Sequence, residues 1–396
     1  MSAERKFVVV GGGLAGAKAV ETLRAEGFAG PVHLVGAERW RPYERPPLSK
    51  DYLAGSVAQE SIFVHGPDWY ADQRVQMHLG SPAARLDTAT HTVVLESGER
   101  VGYDRLLLAT GSRARVLSLP GASLAGVHYL RTLDDSDGLR AALRAGGRRV
   151  VVIGAGWIGL EVAAAARGWD NDVAVVEPQP VPLRAALGDE LGAVFAGLHR
   201  EHGVDLRLGT GVAELTGDRH VTGVRTGAGD VLPADVVVVG VGAIPNTELA
   251  ARAGLSTGNG VLVDASMRTS DPAVWAAGDV ANAFHPVLGR QLRVEHWDNA
   301  IRTGEVAARS MLGQDVRHDS LPYFFTDQYD LGMEFTGYVD PGVEHQIVYR
   351  GDPATREFVA FWMHDGRTVA GMNVNVWDVA DEIRGLIESG APVTTG

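Results

Sequence analysis

Short apolar runs closed by glycine recur along the first two thirds of the chain, and longer mixed segments lie between them. Phe7-Val8-Val9-Val10 ends at Gly11, and Val150-Val151-Val152-Ile153 ends at Gly154. Leu106-Leu107-Leu108 leads through Ala109 and Thr110 to Gly111, and Val236-Val237-Val238-Val239 ends at Gly240. Uninterrupted apolar runs of this length predict strands buried on both faces, as in parallel sheets covered by helices. Their alternation with helical segments predicts an α/β fold. From about residue 319 the pattern changes. Ile347-Val348-Tyr349 and Phe358-Val359-Ala360-Phe361-Trp362 read as antiparallel strands, and a helix is expected over 377–389.

Two of the strand ends carry the same glycine spacing. Gly11-Gly12-Gly13-Leu14-Ala15-Gly16 and Gly154-Ala155-Gly156-Trp157-Ile158-Gly159 each open a strand–turn–helix pattern. In a Rossmann unit the first glycine makes the turn, the second lets the backbone approach a pyrophosphate, and the third lets helix and strand pack closely. An acid about 20 residues on is expected to take the ribose hydroxyls. Val32-His33-Leu34-Val35 leads to Gly36-Ala37-Glu38, and Val173-Ala174-Val175-Val176 leads to Glu177. One such motif can be a mere chain reversal; two complete copies predict two bound dinucleotides and electron transfer between them.

Composition narrows the classes. The 396 residues suffice for two or three domains. A net charge of −13 argues against nonspecific binding to nucleic acid. The apolar runs are too short to span a bilayer, and Met1 to Lys6 leads directly into the first strand, so a cytoplasmic protein without membrane attachment is expected. The chain has no cysteine. That excludes a cysteine-pair relay, a thiolate-ligated iron–sulfur cluster and haem attachment through Cys-x-x-Cys-His, and no metal site is expected. The electron acceptor must be external.

Gly278-Asp279, following Val274-Trp275-Ala276-Ala277, returns to the first fold late in the chain. This arrangement resembles the two-dinucleotide flavoprotein superfamily, whose split N-terminal domain holds FAD and whose inserted domain holds the nicotinamide nucleotide. The resemblance implies two Rossmann-like domains and a small C-terminal α+β domain. An FAD domain would comprise 1–114 and 247–318, an NADH domain 115–246, and the α+β domain 319–396. It also implies that Asp279 serves the ribityl chain; an acid there could at the same time cap a following helix at 280–282. Glu177 would accept hydrogen bonds from the adenine ribose and repel a 2′-phosphate, so NADH is expected over NADPH. The nearest cation that could alter this preference is Arg184.

Pro42-Tyr43-Glu44-Arg45-Pro46-Pro47-Leu48-Ser49-Lys50 stands where disulfide reductases of the superfamily carry cysteines. With Leu130-Arg131-Thr132-Leu133, Gly242-Ala243-Ile244-Pro245-Asn246, Glu295-His296-Trp297 and Thr326-Asp327-Gln328-Tyr329, it resembles the NADH-dependent ferredoxin reductases of the putidaredoxin reductase type. The resemblance implies FAD contacts from Gly11, Gly13, Leu14, Ala15, Gly16, Glu38, Arg45, Lys50, Ala83, Thr110, Gly111, Arg131, Asp279 and Trp297. It implies NAD contacts from Gly154, Gly156, Trp157, Ile158, Gly159, Glu161, Glu177 and Gly242. Lys50 and Glu161 are the expected catalytic pair, with Lys50 near flavin N5 favouring the negative charge that develops on reduction. The partner implied is a [2Fe–2S] ferredoxin serving a cytochrome P450 or Rieske-type oxygenase. Rubredoxin reductase, NADH oxidase or diaphorase activity, and a redox sensor resembling apoptosis-inducing factor are the alternatives.

The chain departs from the family pattern in three places. Ala37 follows Gly36 where a carboxylate is common, which leaves Glu38 for the FAD ribose. Tyr323-Phe324-Phe325 replaces a stretch that is often Trp-rich, and the segment after Ser389 is short. An acidic ferredoxin would need a local basic patch on an acidic protein. Arg290, Arg293, Arg302 and Arg309 are candidates, with Glu295, Asp298 and Glu305 interleaved.

Overall fold

A computed structural model describes residues 5–393 of the protein. The chain forms two compact units. The first contains the N-terminal segment to Glu44, Glu60–Arg113 and Ile244–Pro322; the second contains Arg45–Gln59, Ala114–Ala243 and the chain from Tyr323 onward.

The first unit is built on a parallel sheet with strand order Val274–Ala276, Arg105–Leu108, Phe7–Val10, Val32–Val35, Val75–His78. Phe7, Val8, Val9, Leu106 and Leu107 are wholly buried, as uninterrupted apolar strands between covered faces require. Helix Leu14–Ala25 buries Ala15, Ala19, Val20 and Leu23. It packs on helix Trp297–Leu312 so closely that a Cβ on Gly304 would lie 2.5 Å from the Ala15 carbonyl oxygen. Two smaller sheets complete the unit: Ala83–Asp87, Thr92–Leu95 and Arg100–Gly102, and a four-stranded sheet that includes Gly260–Val263 and Ala281–His285.

The second unit repeats the plan. Its parallel sheet has the order Asp205–Leu208, Asp172–Glu177, Arg149–Ile153, Val236–Val239, Val127–Tyr129. Helix Trp157–Gly168 packs on it. The C-terminal part is an antiparallel sheet ordered Tyr323–Gln328, Leu331–Gly337, Arg367–Val374, Glu357–His364, Gln346–Asp352. Phe358, Val359, Ala360, Phe361 and Trp362 are all buried, so this strand is covered on both faces rather than half-exposed. The closing helix is Ala380–Ser389, not 377–389. Asp378 adopts a positive φ of 63°, and Trp377 instead covers Gly332, whose Cβ would lie 2.5 Å from the indole.

The sequence-based fold class, two Rossmann-like sheets with a C-terminal α+β part, matches this architecture.

Candidate active site

Each unit presents one glycine cradle, and the two have the same geometry. Gly11 and Gly154 adopt φ of +132° and +99°, and a Cβ on either would run into a carbonyl oxygen, of Ala109 at 2.0 Å and Gly240 at 2.4 Å. Only glycine fits such a turn. Gly16 and Gly159 sit under the turn, their Cβ positions 2.1 Å from the carbonyl oxygens of Gly11 and Gly154. Gly13 and Gly156 differ: a Cβ on either would meet no heavy atom within 4 Å. Each is the extended residue before a 12-residue helix, with no side-chain cap and no acid in the first turn. The free first-turn amides and the positive helix end suit an anion that approaches over Gly13 or Gly156.

In the first unit, loops gather at the end of strand Arg105–Leu108. Thr110 Oγ1 donates to the Asn246 carbonyl at 2.8 Å, and Asn246 returns its side-chain amide to the Thr110 carbonyl at 2.8 Å. Gly111 follows with a positive φ of 63°. Asp279 accepts from Ser112 Oγ at 2.8 Å. It lies in the one-turn helix Gly278–Val280, whose Gly278 amide donates to Thr303 Oγ1 at 2.9 Å. Strand Ala281–His285 begins directly after that turn, so the additional role of Asp279 capping a helix at 280–282 is not met. The Glu38 carboxylate accepts from Tyr43 Oη at 2.5 Å. Ala83 begins an antiparallel strand, and Trp297 is the first residue of its helix.

The second unit brings Arg45, Ser49, Lys50, Arg131 and Glu161 together with the second cradle. Arg45 Nη1 donates to the Arg131 carbonyl. Ser136 Oγ donates to the Leu48 carbonyl, and Tyr52 Oη donates to Asp137, tying the turn Pro46–Ser49 to helix Leu133–Leu143. Lys50 Nζ lies 3.5 Å from Glu161 Oε1 and 3.3 Å from Asp327 Oδ2. It also stands 4.2 Å above the Phe325 ring centre, a cation–π contact. The Lys50 side chain is only 10% exposed and that of Glu161 only 7%, so neither is a solvated helix-surface charge. Both Glu161 oxygens are engaged: Oε2 accepts from Ser49 Oγ at 2.6 Å and Oε1 from Thr326 Oγ1 at 2.6 Å. Burial pushes the Glu161 carboxyl above its usual range, and Lys50, Ser49 and Thr326 act against that shift.

Glu177 ends its strand and closes the loop around the second cradle. It accepts from the amides of Ala155 at 2.8 Å and Gln179 at 2.9 Å. Arg184, the cation that could have reached a 2′-phosphate, is paired with Asp189 at 2.5 Å. Gly242 has a positive φ of 101°, and its carbonyl accepts from the Arg115 amide at 2.9 Å. Trp157 meets Phe195 edge-on and lies 5.0 Å from Phe324, whereas Ile158 is exposed. Among the described residues no group of three or more side chains could hold a metal, and no helix is long and apolar enough to cross a membrane.

Comparison with known proteins places this geometry. The profile of the pyridine nucleotide-disulphide oxidoreductases matches residues 5–304, and that of the reductase C-terminal domain matches 323–396. The chain belongs to the pyridine nucleotide-disulphide oxidoreductase family. It is 42% identical to the anthranilate 1,2-dioxygenase system ferredoxin–NAD(+) reductase component of Burkholderia cepacia, across 99% of this chain and 96% of that protein. It is 38% identical to putidaredoxin reductase of Pseudomonas putida, across 95% and 90%. The covalent putidaredoxin reductase–putidaredoxin complex contains a chain that superposes with a TM-score of 0.94 at 37% identity, covering 99% of this chain and 95% of that one. Members of this family use FAD and NAD(H).

Within that family frame, Gly11, Gly13, Leu14, Ala15, Gly16, Glu38, Ala83, Thr110, Gly111, Asp279 and Trp297 fall in the first unit. Arg45, Lys50 and Arg131 fall in the second, with Gly154, Gly156, Trp157, Ile158, Gly159, Glu161, Glu177 and Gly242. Ser49 and Thr326, the two hydroxyls on Glu161, received no role from the sequence. Both stand inside quoted motifs, but only the fold shows that two segments more than 270 residues apart converge on one carboxylate. The arginine candidates for a docking patch are largely neutralised: Arg293 pairs with Glu295, Arg302 with Asp298, and Arg309 with Glu26 and Glu305.

Proposed function

We propose that the protein is an FAD-dependent NADH:ferredoxin reductase that passes electrons to a [2Fe–2S] ferredoxin, which in turn serves a cytochrome P450 or Rieske-type oxygenase. The observation that carries this reading is the paired cradle: one chain has two open helix N-termini of similar build, one in each unit, and no cysteine through which to relay electrons. Relatives named as ferredoxin reductase components of dioxygenase systems and as putidaredoxin reductase support it.

The residues suit the two nucleotides. Gly11, Gly13 and Gly16, with Leu14 and Ala15 at the helix start, would bind the pyrophosphate of FAD; Gly154, Gly156 and Gly159 would bind that of NADH. Asp279, Thr110, Gly111, Ala83, Trp297, Arg45 and Arg131 would complete the FAD contacts, with Glu38 on its ribose. Glu177, already an acceptor of two amides, would take the NADH ribose hydroxyls, and Arg184, the nearest candidate for a 2′-phosphate, is paired with Asp189. When bound, FAD supplies the chemistry that the side chains lack, accepting electrons in pairs and releasing them singly. Lys50 contributes a buried ammonium that favours the negative charge built up on reduction. Glu161 holds that ammonium in place, assisted by the Ser49 and Thr326 hydroxyls.

The reaction is assigned to the cytoplasm, where NADH and ferredoxin meet. The test is NADH-dependent reduction of cytochrome c with and without an added [2Fe–2S] ferredoxin. A strong dependence on ferredoxin is expected; a rate that ferredoxin does not change would point instead to diaphorase activity.

A further inference from the structure

Glu161 stands at the end of a buried chain of polar side chains that the electron path does not require. Thr326 Oγ1 donates to Glu161 Oε1 at 2.6 Å, and Gln328 Nε2 donates to Thr326 Oγ1 at 3.2 Å. Gln328 Oε1 lies 2.8 Å from Nε2 of His199, and Tyr329 Oη lies 3.5 Å from Nδ1 of the same ring. Thr326, Gln328 and His199 are at most 1% exposed. Four elements meet here: the turn ending at Ser49, helix Trp157–Gly168, helix Arg184–Glu201 and strand Tyr323–Gln328.

Donor and acceptor chemistry fixes the direction of this chain. The Thr326 hydroxyl donates to Glu161, the direction that a carboxylate paired with Lys50 demands. The Thr326 oxygen is then left as an acceptor for the Gln328 amide hydrogen, which turns Gln328 Oε1 toward His199. A carbonyl oxygen can only accept, so His199 carries its proton on Nε2 and leaves Nδ1 as an acceptor facing Tyr329. Every donor therefore points at Glu161. Burial lowers the His199 pKa to about 4, so its ring is neutral at neutral pH and one ring nitrogen remains an acceptor.

We propose that His199, Gln328 and Thr326 are positioning residues, a one-way donor chain that keeps Glu161 an ionised acceptor directed at Lys50. The inference rests on the reductase reading only for the purpose of the Lys50–Glu161 pair; the chain itself is a property of the protein. Its end at Glu161 is reinforced by Ser49 and opposed by burial. Charged groups on the segments packed against helix Trp157–Gly168 include Lys50, Asp51, Asp327, Asp172, Glu177 and Arg149, with Arg184, Asp189, Glu190, Arg200 and Glu201 on helix Arg184–Glu201. Of these, Lys50 is the one in ion-pair range of Glu161 among the described residues, and Asp327 bears on Glu161 through Lys50.

The test is a pH titration of the protonated-carboxyl band of Glu161 by difference infrared spectroscopy, with the band assigned by its loss in Glu161→Gln. Thr326→Val removes the last donor and should raise the midpoint by roughly one unit or more. Gln328→Leu should raise it less, by about half a unit, and Thr326→Ser should restore the original midpoint. A companion measurement reads the wild-type protein directly: nitrogen-15 NMR of histidine-labelled protein at pH 8, with the His199→Gln variant used only to assign the His199 signals by their loss. The Nε2–H tautomer is expected. Unchanged midpoints in folded Thr326→Val and Gln328→Leu proteins, or an Nδ1–H tautomer or imidazolium at His199, would overturn the proposal. Neither readout depends on electron transfer, so a failure of the chain would be distinguishable from a failure of the reductase reading.

Discussion

Two glycines three residues apart should respond in opposite ways to the same added methyl group. Gly156 is extended, with φ of −80° and ψ of −178°, and a Cβ there would touch nothing within 4 Å. In Gly156→Ala the unfolded chain loses freedom, which stabilises by about 0.4–1 kcal/mol, while alanine is a poorer helix N-cap than glycine by a similar amount. The two effects offset, and Tm should stay within a few degrees of wild type. The methyl group would nonetheless occupy the space through which a pyrophosphate reaches the helix amides. Loss of one charge-assisted hydrogen bond costs about 1.5–3 kcal/mol, or roughly ten- to a hundredfold in NADH affinity.

Gly159 is the reverse case. Its Cβ would lie 2.1 Å from the Gly154 carbonyl oxygen and 3.4 Å from Val152 Cγ1, against an ordinary contact of about 3.5 Å. The helix must move off the turn by more than an ångström, and overpacking of this kind costs about 1–3 kcal/mol. Tm should fall by roughly 2–12 °C. Differential scanning calorimetry and equilibrium NADH titration separate the two effects. Wild-type NADH affinity in Gly156→Ala would rule out a pyrophosphate over Gly156, and wild-type stability in Gly159→Ala would rule out the close packing under the turn.

Lys50→Met should keep its FAD yet slow flavin reduction by NADH by about a hundredfold or more, the usual size of one lost electrostatic partner. It should also lose stability through the unpaired buried Glu161, and adding Glu161→Gln should recover the stability and not the rate; reduction at the wild-type rate would contradict the catalytic role. Glu177→Gln should raise KM for NADH about tenfold and narrow the preference for NADH over NADPH, so an unchanged kcat/KM ratio between the nucleotides would count against the ribose assignment. His199 and His318 are buried, and burial lowers each pKa from 6.5 to about 4. Between those values the unfolded chain binds protons that the folded one does not, so stability should fall with pH from about 6.5 to 4, by up to about 3 kcal/mol for each group. The raised carboxyl of Glu161 acts in the opposite sense above its unfolded value, and His33 and His296, also lowered to about 4 by burial, act in the same sense as His199 and His318. Urea midpoints at pH 7, 5.5 and 4.5 would show the trend, and a flat series would contradict it.

The parts of the molecule legible in the sequence are those governed by local rules. Phe7–Val10 and Arg149–Ile153 announce buried parallel strands because their apolar runs have no polar face, and the glycine spacing after each follows from the turn it must make. Boundaries set by packing were less legible. Trp377 and Asp378 continue an apolar–polar pattern into the last helix, but the contact of Trp377 on Gly332 and the positive φ of Asp378 delay its start to Ala380. The site splits in the same way. Glu161 sits on a helix whose pattern alone permits either a surface or a buried carboxylate. Its burial depends on Ser49 and Thr326, which are distant in sequence and meet it only through the fold. The arginines of helix Trp297–Leu312 look like a basic patch in sequence, whereas in the structure Arg302 and Arg309 turn to acids on their own helix and, for Arg309, to Glu26.

On the proposed function, NADH reduces a flavin held by this chain and a ferredoxin, not oxygen, removes the electrons. Anaerobic stopped-flow absorbance tests it directly: the yellow protein is mixed with NADH, and a [2Fe–2S] ferredoxin is added after flavin bleaching. Rapid bleaching should be followed by rapid reoxidation as the ferredoxin is reduced. A long-wavelength charge-transfer band that persists after ferredoxin is added, or reoxidation that only oxygen or quinones bring about, would contradict it.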